Sequence, residues 1–352
     1  MNNAFNKQKR LPWIDVIRGI CSVLVIFSHI PSSPINIGVF YAPIMIPSFF
    51  FVSGYLGKNY NGNIVKFLYN RVLKLFIFRF IAIFEINLIS VNVVIKTFQN
   101  PLYLIKYIAD LSLKVIIGKS FWFISCLIVV SIYFIIINKL CKNKPVFMLL
   151  VSLAAAAVGL YISTPGVIVN WSWDTALVCQ FFYVAGYCAK QKQCIEKIRF
   201  TPKLCILTGI LYIISVIIFA KFFGINNIFI IVANNTWRYI PVTSILILVG
   251  ISFIICLSQI LQGSKLLIYI GRHSLLYFTM GGLCMFYCNA ILQYIYTLTH
   301  FEPLNNIYIT CMPILIVSTL LTLIPCWLSD KFCPALNGTI HLPELKLKKV
   351  GE

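Results

Sequence analysis

Apolar stretches of bilayer length follow one another along this chain and leave few folds open to it. A helix needs about 20 mostly apolar residues to cross the hydrocarbon core of a membrane. Ten spans of or near that kind lie around 13–31, 40–57, 75–95, 120–138, 146–163, 175–189, 204–223, 239–261, 274–298 and 306–328. Two of them are short, and 96–119 leaves room for a helix lying in the interface. Within hydrocarbon, backbone N–H and C=O groups must be bonded inside the protein, which a helix achieves within one segment. The expected fold is an all-α integral membrane protein, a bundle of about ten transmembrane helices. Composition agrees: 60% of residues are hydrophobic and 11% charged, against about a quarter charged in soluble domains. No charged leader with a cleavage site opens the chain, so the first span is expected to stay in the mature protein. Without repeats or a soluble appendage, residues 1–352 read as one transmembrane domain with short cytoplasmic tails at 1–12 and 334–352.

Charge predicts the orientation. With the N-terminus in the cytoplasm, 23 of the 29 basic residues fall on the inner side, and six (Lys96, Lys106, Lys114, Lys119, Lys221, Arg238) fall outside. Short loops rich in Lys and Arg stay in the cytoplasm, so a multi-pass protein of the plasma (inner) membrane with both termini inside is expected. The net charge of +20 is then mainly a topology signal. The basic residues are split among short loops without a nucleic-acid-binding motif, so nucleic acid is excluded as a partner and the lipid bilayer is the expected one. The 13 cysteines have neither CxxC nor zinc spacing, and many sit inside apolar spans. They read as small packing residues.

The first span is unlike the others. From Trp13 to Ile30 it is mostly Ile, Val, Leu and Phe, yet it carries Asp15, Arg18 and His29. An ionisable group in hydrocarbon is costly, and such groups pair, line a cavity or work. Eleven residues separate Arg18 from His29. At about 100° per residue both point the same way, roughly 16 Å apart along the axis. Read blandly, His29 bonds a neighbouring helix and Asp15 pairs with Arg18 at i,i+3. Read functionally, one helix face offers a cation near the inner surface and an imidazole near the outer, where it suits proton abstraction. Three ionisable residues in one span favour the functional reading.

Weaker signals follow. Phe49-Phe-Phe-Val-Ser53-Gly54-Tyr55-Leu56 permits close backbone approach at Gly54. Arg71 and Lys74, i,i+3 neighbours at the cytoplasmic edge of span three, are either positive-inside anchors or an anion site for the phosphates of a cosubstrate. Phe121-Trp122-Phe123 and Phe182-Tyr183-x-x-Gly186-Tyr187 read as belt residues. Gly271-Arg272-His273-Ser274 opens span nine, with His273 a surface or headgroup contact. Glu85 and Asp174 are acids placed to orient a histidine. No GxSxG, GxxxxGK[ST] or HExxH motif occurs.

Taken in order, Trp13-Ile-Asp15-Val-Ile-Arg18-Gly with His29, the Phe49–Leu56 run, Arg71-x-x-Lys74, Phe121-Trp-Phe, Phe182-Tyr183-x-x-Gly186-Tyr187 and Gly271-Arg-His-Ser274 resemble the acyltransferase 3 family. The likeness is to fucose 4-O-acetylase-like members in particular. The resemblance runs from residue 10 to about 280. It implies about ten spans, a cytoplasmic acyl-CoA donor and an O-acetylated glycan. It further implies that Arg18 and His29 are functional and that Arg71 and Lys74 serve the donor. The chain departs from the family twice. Lys74 replaces the second arginine, and Gly281 stands where many members carry a histidine.

The expected protein is a membrane O-acyltransferase moving acetyl from acetyl-CoA to a hydroxyl of a surface or lipid-linked glycan, without a metal. His29 would be the general base, Asp15 would hold Arg18, and Arg71 and Lys74 would bind donor phosphates. The rival is a multi-span transporter of an anionic or glycan-related substrate, using the same charges as a binding path. The inverted repeat common in transporters is not visible in the sequence.

Overall fold

The computed structural model describes residues 10–30, 35–57, 65, 68–88, 96, 98, 100–119, 121–225, 232, 240–300 and 306–332. Among them every regular element is helical. The long helices are α1 (Pro12–His29), α2 (Ile35–Tyr55), α3 (Lys74–Leu88), α4 (Pro101–Ile116), α5 (Trp122–Leu140), α6 (Pro145–Ile162), α7 (Trp173–Gln191), α8 (Pro202–Phe223), α9 (Ile240–Ile260), α11 (Ser274–Thr299) and α12 (Ile307–Leu321). Two short ones, α10 (Lys265–Arg272) and α13 (Leu323–Phe332), flank α11 and extend α12. The tail 334–352 and most of 1–12 lie outside the described residues.

Among the described residues, eight helical stretches are long and apolar enough to cross a membrane: Pro12–His29, Ile37–Tyr55, Trp122–Leu140, Pro145–Ile162, Pro202–Phe223, Val242–Ile260, Ser274–Thr299 and Ile309–Phe332. The protein is thus a multi-pass helical membrane protein. Of the ten spans expected, the described part of 75–95 and all of 175–189 are helical but do not qualify. The first is described only as the 15-residue α3, residues 89–95 lying outside the described set. The second is α7, 19 residues long, whose Asp174, Gln180 and Lys190 reduce its apolar character. Its polar groups are tolerated because neighbouring helices, not lipid, surround most of it. The helix anticipated in 96–119 is α4, which Asn100 caps by accepting a hydrogen bond from Leu102 N at 3.0 Å.

Helices pack through the glycines of the sequence motifs. A Cβ on Gly54 would collide with the Tyr183 carbonyl, and one on Gly186 with that of Phe51, so α2 and α7 cross backbone to backbone. Gly19 and Gly271 do the same for α1 and α10, against the carbonyls of Leu267 and Asp15. Small residues let membrane helices approach so closely. α1 and α2 run antiparallel: Trp13 packs edge-on against Tyr55 at one end (centroids 5.1 Å apart) and Phe27 against Tyr41 near the other (5.2 Å). All described cysteines are free thiols, most of them buried, in keeping with a packing role.

Candidate functional site

Helix α1 carries the centre of the site. On its helical wheel Asp15, Arg18, Ser22 and His29 fall within about 60° of one another, so a polar stripe runs its length. Ser22, whose role sequence reasoning missed, is buried with no hydrogen-bond partner for its hydroxyl among the described residues. The stripe's spacing of three, four and seven residues was the available signal.

At the last turn, His29 is exposed and its Nδ1 lies 2.7 Å from the Val25 carbonyl. A carbonyl only accepts, so Nδ1–H donates and Nε2 keeps the lone pair in the neutral ring. That leaves a base pointing away from its own helix. The orienting role foreseen for an acid falls here to Val25, with the Ser28 hydroxyl 3.2 Å from the same nitrogen. Asp174, one of the acids considered for that role, accepts a hydrogen bond from Thr175 N at 2.7 Å through its Oδ1.

At the first turn Asp15 is buried, 3% exposed. It was expected to hold Arg18; its ion pairs are to Arg10 at 3.1 Å and to Arg272 of α10 at 3.6 Å. Arg18 is half-buried and has contacts of its own. Next to Arg272, His273 is not a surface group as expected but 4% exposed. It sits 2.9 Å from Asp330, which also accepts from the Tyr269 hydroxyl at 3.0 Å. Burial, with Asp330 adding to it, pushes the Tyr269 phenol above its ordinary range. On the other flank Glu196 takes the Tyr55 hydroxyl at 2.7 Å and Lys190 at 2.6 Å. Partial burial works against the Glu196 carboxylate, but those two donors hold it below its usual range. One end of the bundle therefore carries a rim of cations, carboxylates and phenols, with Arg10, Arg272 and Lys190 facing solvent in part.

The donor candidates sit apart in character. Arg71 lies in a π-helical turn, Leu68–Leu73, and Lys74 is half-buried where α3 begins. The shared α-helical face inferred from i,i+3 spacing does not apply to a π turn, a rare element that often marks functional positions. Further along α3 is a second residue that sequence reasoning missed. Arg79 was counted as an inner-surface cation, but it is 0% exposed and its guanidinium lies 5.1 Å over the Trp171 ring. Its place in the run Leu75-Phe-Ile-Phe-Arg79-Phe was the clue.

The aromatic motifs converge between these parts. Phe123 touches Phe49, Phe50 and Phe278, with centroids 5.5, 5.4 and 4.9 Å apart. At the position of the expected second histidine, a Cβ on Gly281 would lie 2.8 Å from Ile26 of α1. The space a side chain would need there is filled by α1 itself, three residues before His29.

The structure is thus a helical membrane bundle whose first helix carries Arg18 and His29 on one face, with separated sequence motifs packed on each other. A profile of the acyltransferase 3 family, described as an acyltransferase domain, matches residues 11–330, and the chain belongs to that family. No curated protein and no solved structure matches it. Family membership makes it a membrane acyltransferase.

Proposed function

We propose that this acyltransferase moves an acetyl group from cytoplasmic acetyl-CoA to a hydroxyl of a surface or lipid-linked glycan in the plasma membrane. The observation that carries the reading is the polar stripe of α1, with Arg18 toward one end and a His29 whose Nε2 is left as the base. A glycan hydroxyl would lose its proton to Nε2 as its oxygen attacks the thioester carbon. The C–S bond then breaks, and the proton passes to the departing coenzyme A sulfur. Acetyl-CoA supplies the activated acyl group. Its phosphates suit either the basic rim formed by Arg10, Arg272 and Lys190 or the pair Arg71 and Lys74, since guanidinium groups bind phosphate in pairs of hydrogen bonds. Asp15 keeps Arg10 and Arg272 gathered at the foot of α1. Consumption of acetyl-CoA by purified protein, with transfer to a glycan acceptor, tests the reading; a protein that binds the glycan but never cleaves the thioester would be a transporter instead.

Two further results are expected. Replacing both Arg71 and Lys74 with Ala should raise the KM for acetyl-CoA about tenfold or more while barely moving that for the acceptor. Unchanged donor kinetics would leave the two as topology anchors. Reporter fusions after residues 145 and 340 should read cytoplasm, and fusions near 35, 168 and 302 should read outside, as the split of basic residues requires. A C-terminus outside the cell would place the basic rim on the wrong side for the donor.

A further inference from the structure

Gln180 is the most out-of-place polar group in the bundle. It is 0% exposed, and neither its amide oxygen nor its amide nitrogen has a hydrogen-bond partner among the described residues. An unpaired buried amide is costly, and each one in a folded protein calls for a reason. Packing does not supply it, because an apolar residue of the same size would fill the space without the penalty. The helix around it is equally unusual. Asp174, Thr175, Gln180, Tyr183 and Gly186 of α7 are all buried, and α7 is pressed backbone to backbone against α2.

Depth narrows the ligand. Eleven residues separate Gln180 from Gln191, where α7 ends beside Lys190 of the basic rim. That is roughly 16 Å, about half the thickness of a bilayer core. A ligand reaching Gln180 from the rim must therefore be long, thin and able to enter a bundle interior. It must also offer a donor and an acceptor together, since both ends of the Gln180 amide are open. A secondary amide does so, and the arm joining the phosphates of coenzyme A to its sulfur is built on secondary amides. Resting on the acyl-CoA reading above, we infer that Gln180 binds an amide of the donor's arm at mid-depth. It is a binding residue for the donor, fixing how far the thioester advances toward His29.

The test compares purified wild-type protein with Gln180→Met, an unbranched side chain of similar length with no hydrogen bond to offer the amide. Three measurements are made in the same detergent: calorimetric binding of coenzyme A, binding of 3′-phosphoadenosine 5′-diphosphate (the head without the arm), and thermal unfolding without ligand. Coenzyme A should bind the variant about tenfold or more weakly, the cost of stranding a ligand amide. The head alone should bind both proteins equally. The unfolding temperature should not fall, because methionine leaves no buried amide unpaired. Equal coenzyme A affinity in the two proteins overturns the assignment. So does a lower unfolding temperature, which would mean that Gln180 is bonded within the protein. If the two proteins differ in coenzyme A binding as expected but wild type transfers no acetyl, the catalytic reading fails and the Gln180 site stands; if wild type binds no coenzyme A, both fall.

Discussion

His29→Ala should abolish acyl transfer while leaving membrane insertion and protein level nearly unchanged. A positioned general base contributes about 10²–10⁴-fold in rate. His29 is exposed at the end of α1, so truncating it opens no cavity in the core. His29→Gln separates chemistry from structure. A glutamine amide can replace the Nδ1–H donor that meets the Val25 carbonyl, but it cannot take a proton at neutral pH. A histidine needed only for that bond would be largely rescued by Gln, whereas a base would not. Transfer assayed on membranes with matched protein levels decides it: retention of most activity in His29→Gln would place the base elsewhere.

Gly186→Val should cost the folded protein itself. Its side chain would have to occupy the space of the Phe51 carbonyl, a backbone group that cannot rotate away. Forcing bulk into a packed interior costs about 1–3 kcal/mol, more where backbone must move, and here two helices would have to separate along their crossing. The expected readout is loss of the monodisperse peak in size-exclusion chromatography from detergent extracts. Gly282→Ala serves as the control, since a Cβ there meets nothing within 4 Å. Normal folding of Gly186→Val would mean that α2 and α7 do not cross as closely as described.

The apolar spans were legible because lipid imposes one rule, a long and mostly apolar helix, and eight segments among the described residues obey it. α7 was legible as a helix but not as one encased by others, because hydropathy reports what a segment is made of and not what surrounds it. The stripe of α1 was visible as Arg18 and His29 at helical spacing. Ser22 shares that spacing, but spacing does not tell that its hydroxyl is buried and unbonded among the described residues. Pairing was the least legible level. Asp15 has a cation at i+3, yet its ion pairs are with Arg10 and with Arg272, some 257 residues away in sequence. Likewise Arg79 looked like one more inner-surface charge until Trp171 was found over it. His273 looked like a surface group until Asp330 was found beside it. Arg272, Trp171 and Asp330 are all remote in the chain from the residues they meet, and spacing within one helix says nothing of them.

The burial of α7 bears on how the protein is made. A segment with a glutamine near its middle and an aspartate and a lysine in its end turns is less apolar than its neighbours and a poorer client for insertion by itself. Its acceptance depends on company. α6 lies immediately before it, with Asn143 and Pro145 at one end of the hairpin bonded to Tyr187, Gln191 and Cys188 of α7. α2, already made by then, offers the Phe51 and Gly54 backbone as a docking face. Synthesis from the N-terminus thus delivers the partners of α7 before α7 itself, and the helix that carries Gln180 enters the membrane as part of a protein that is already half assembled.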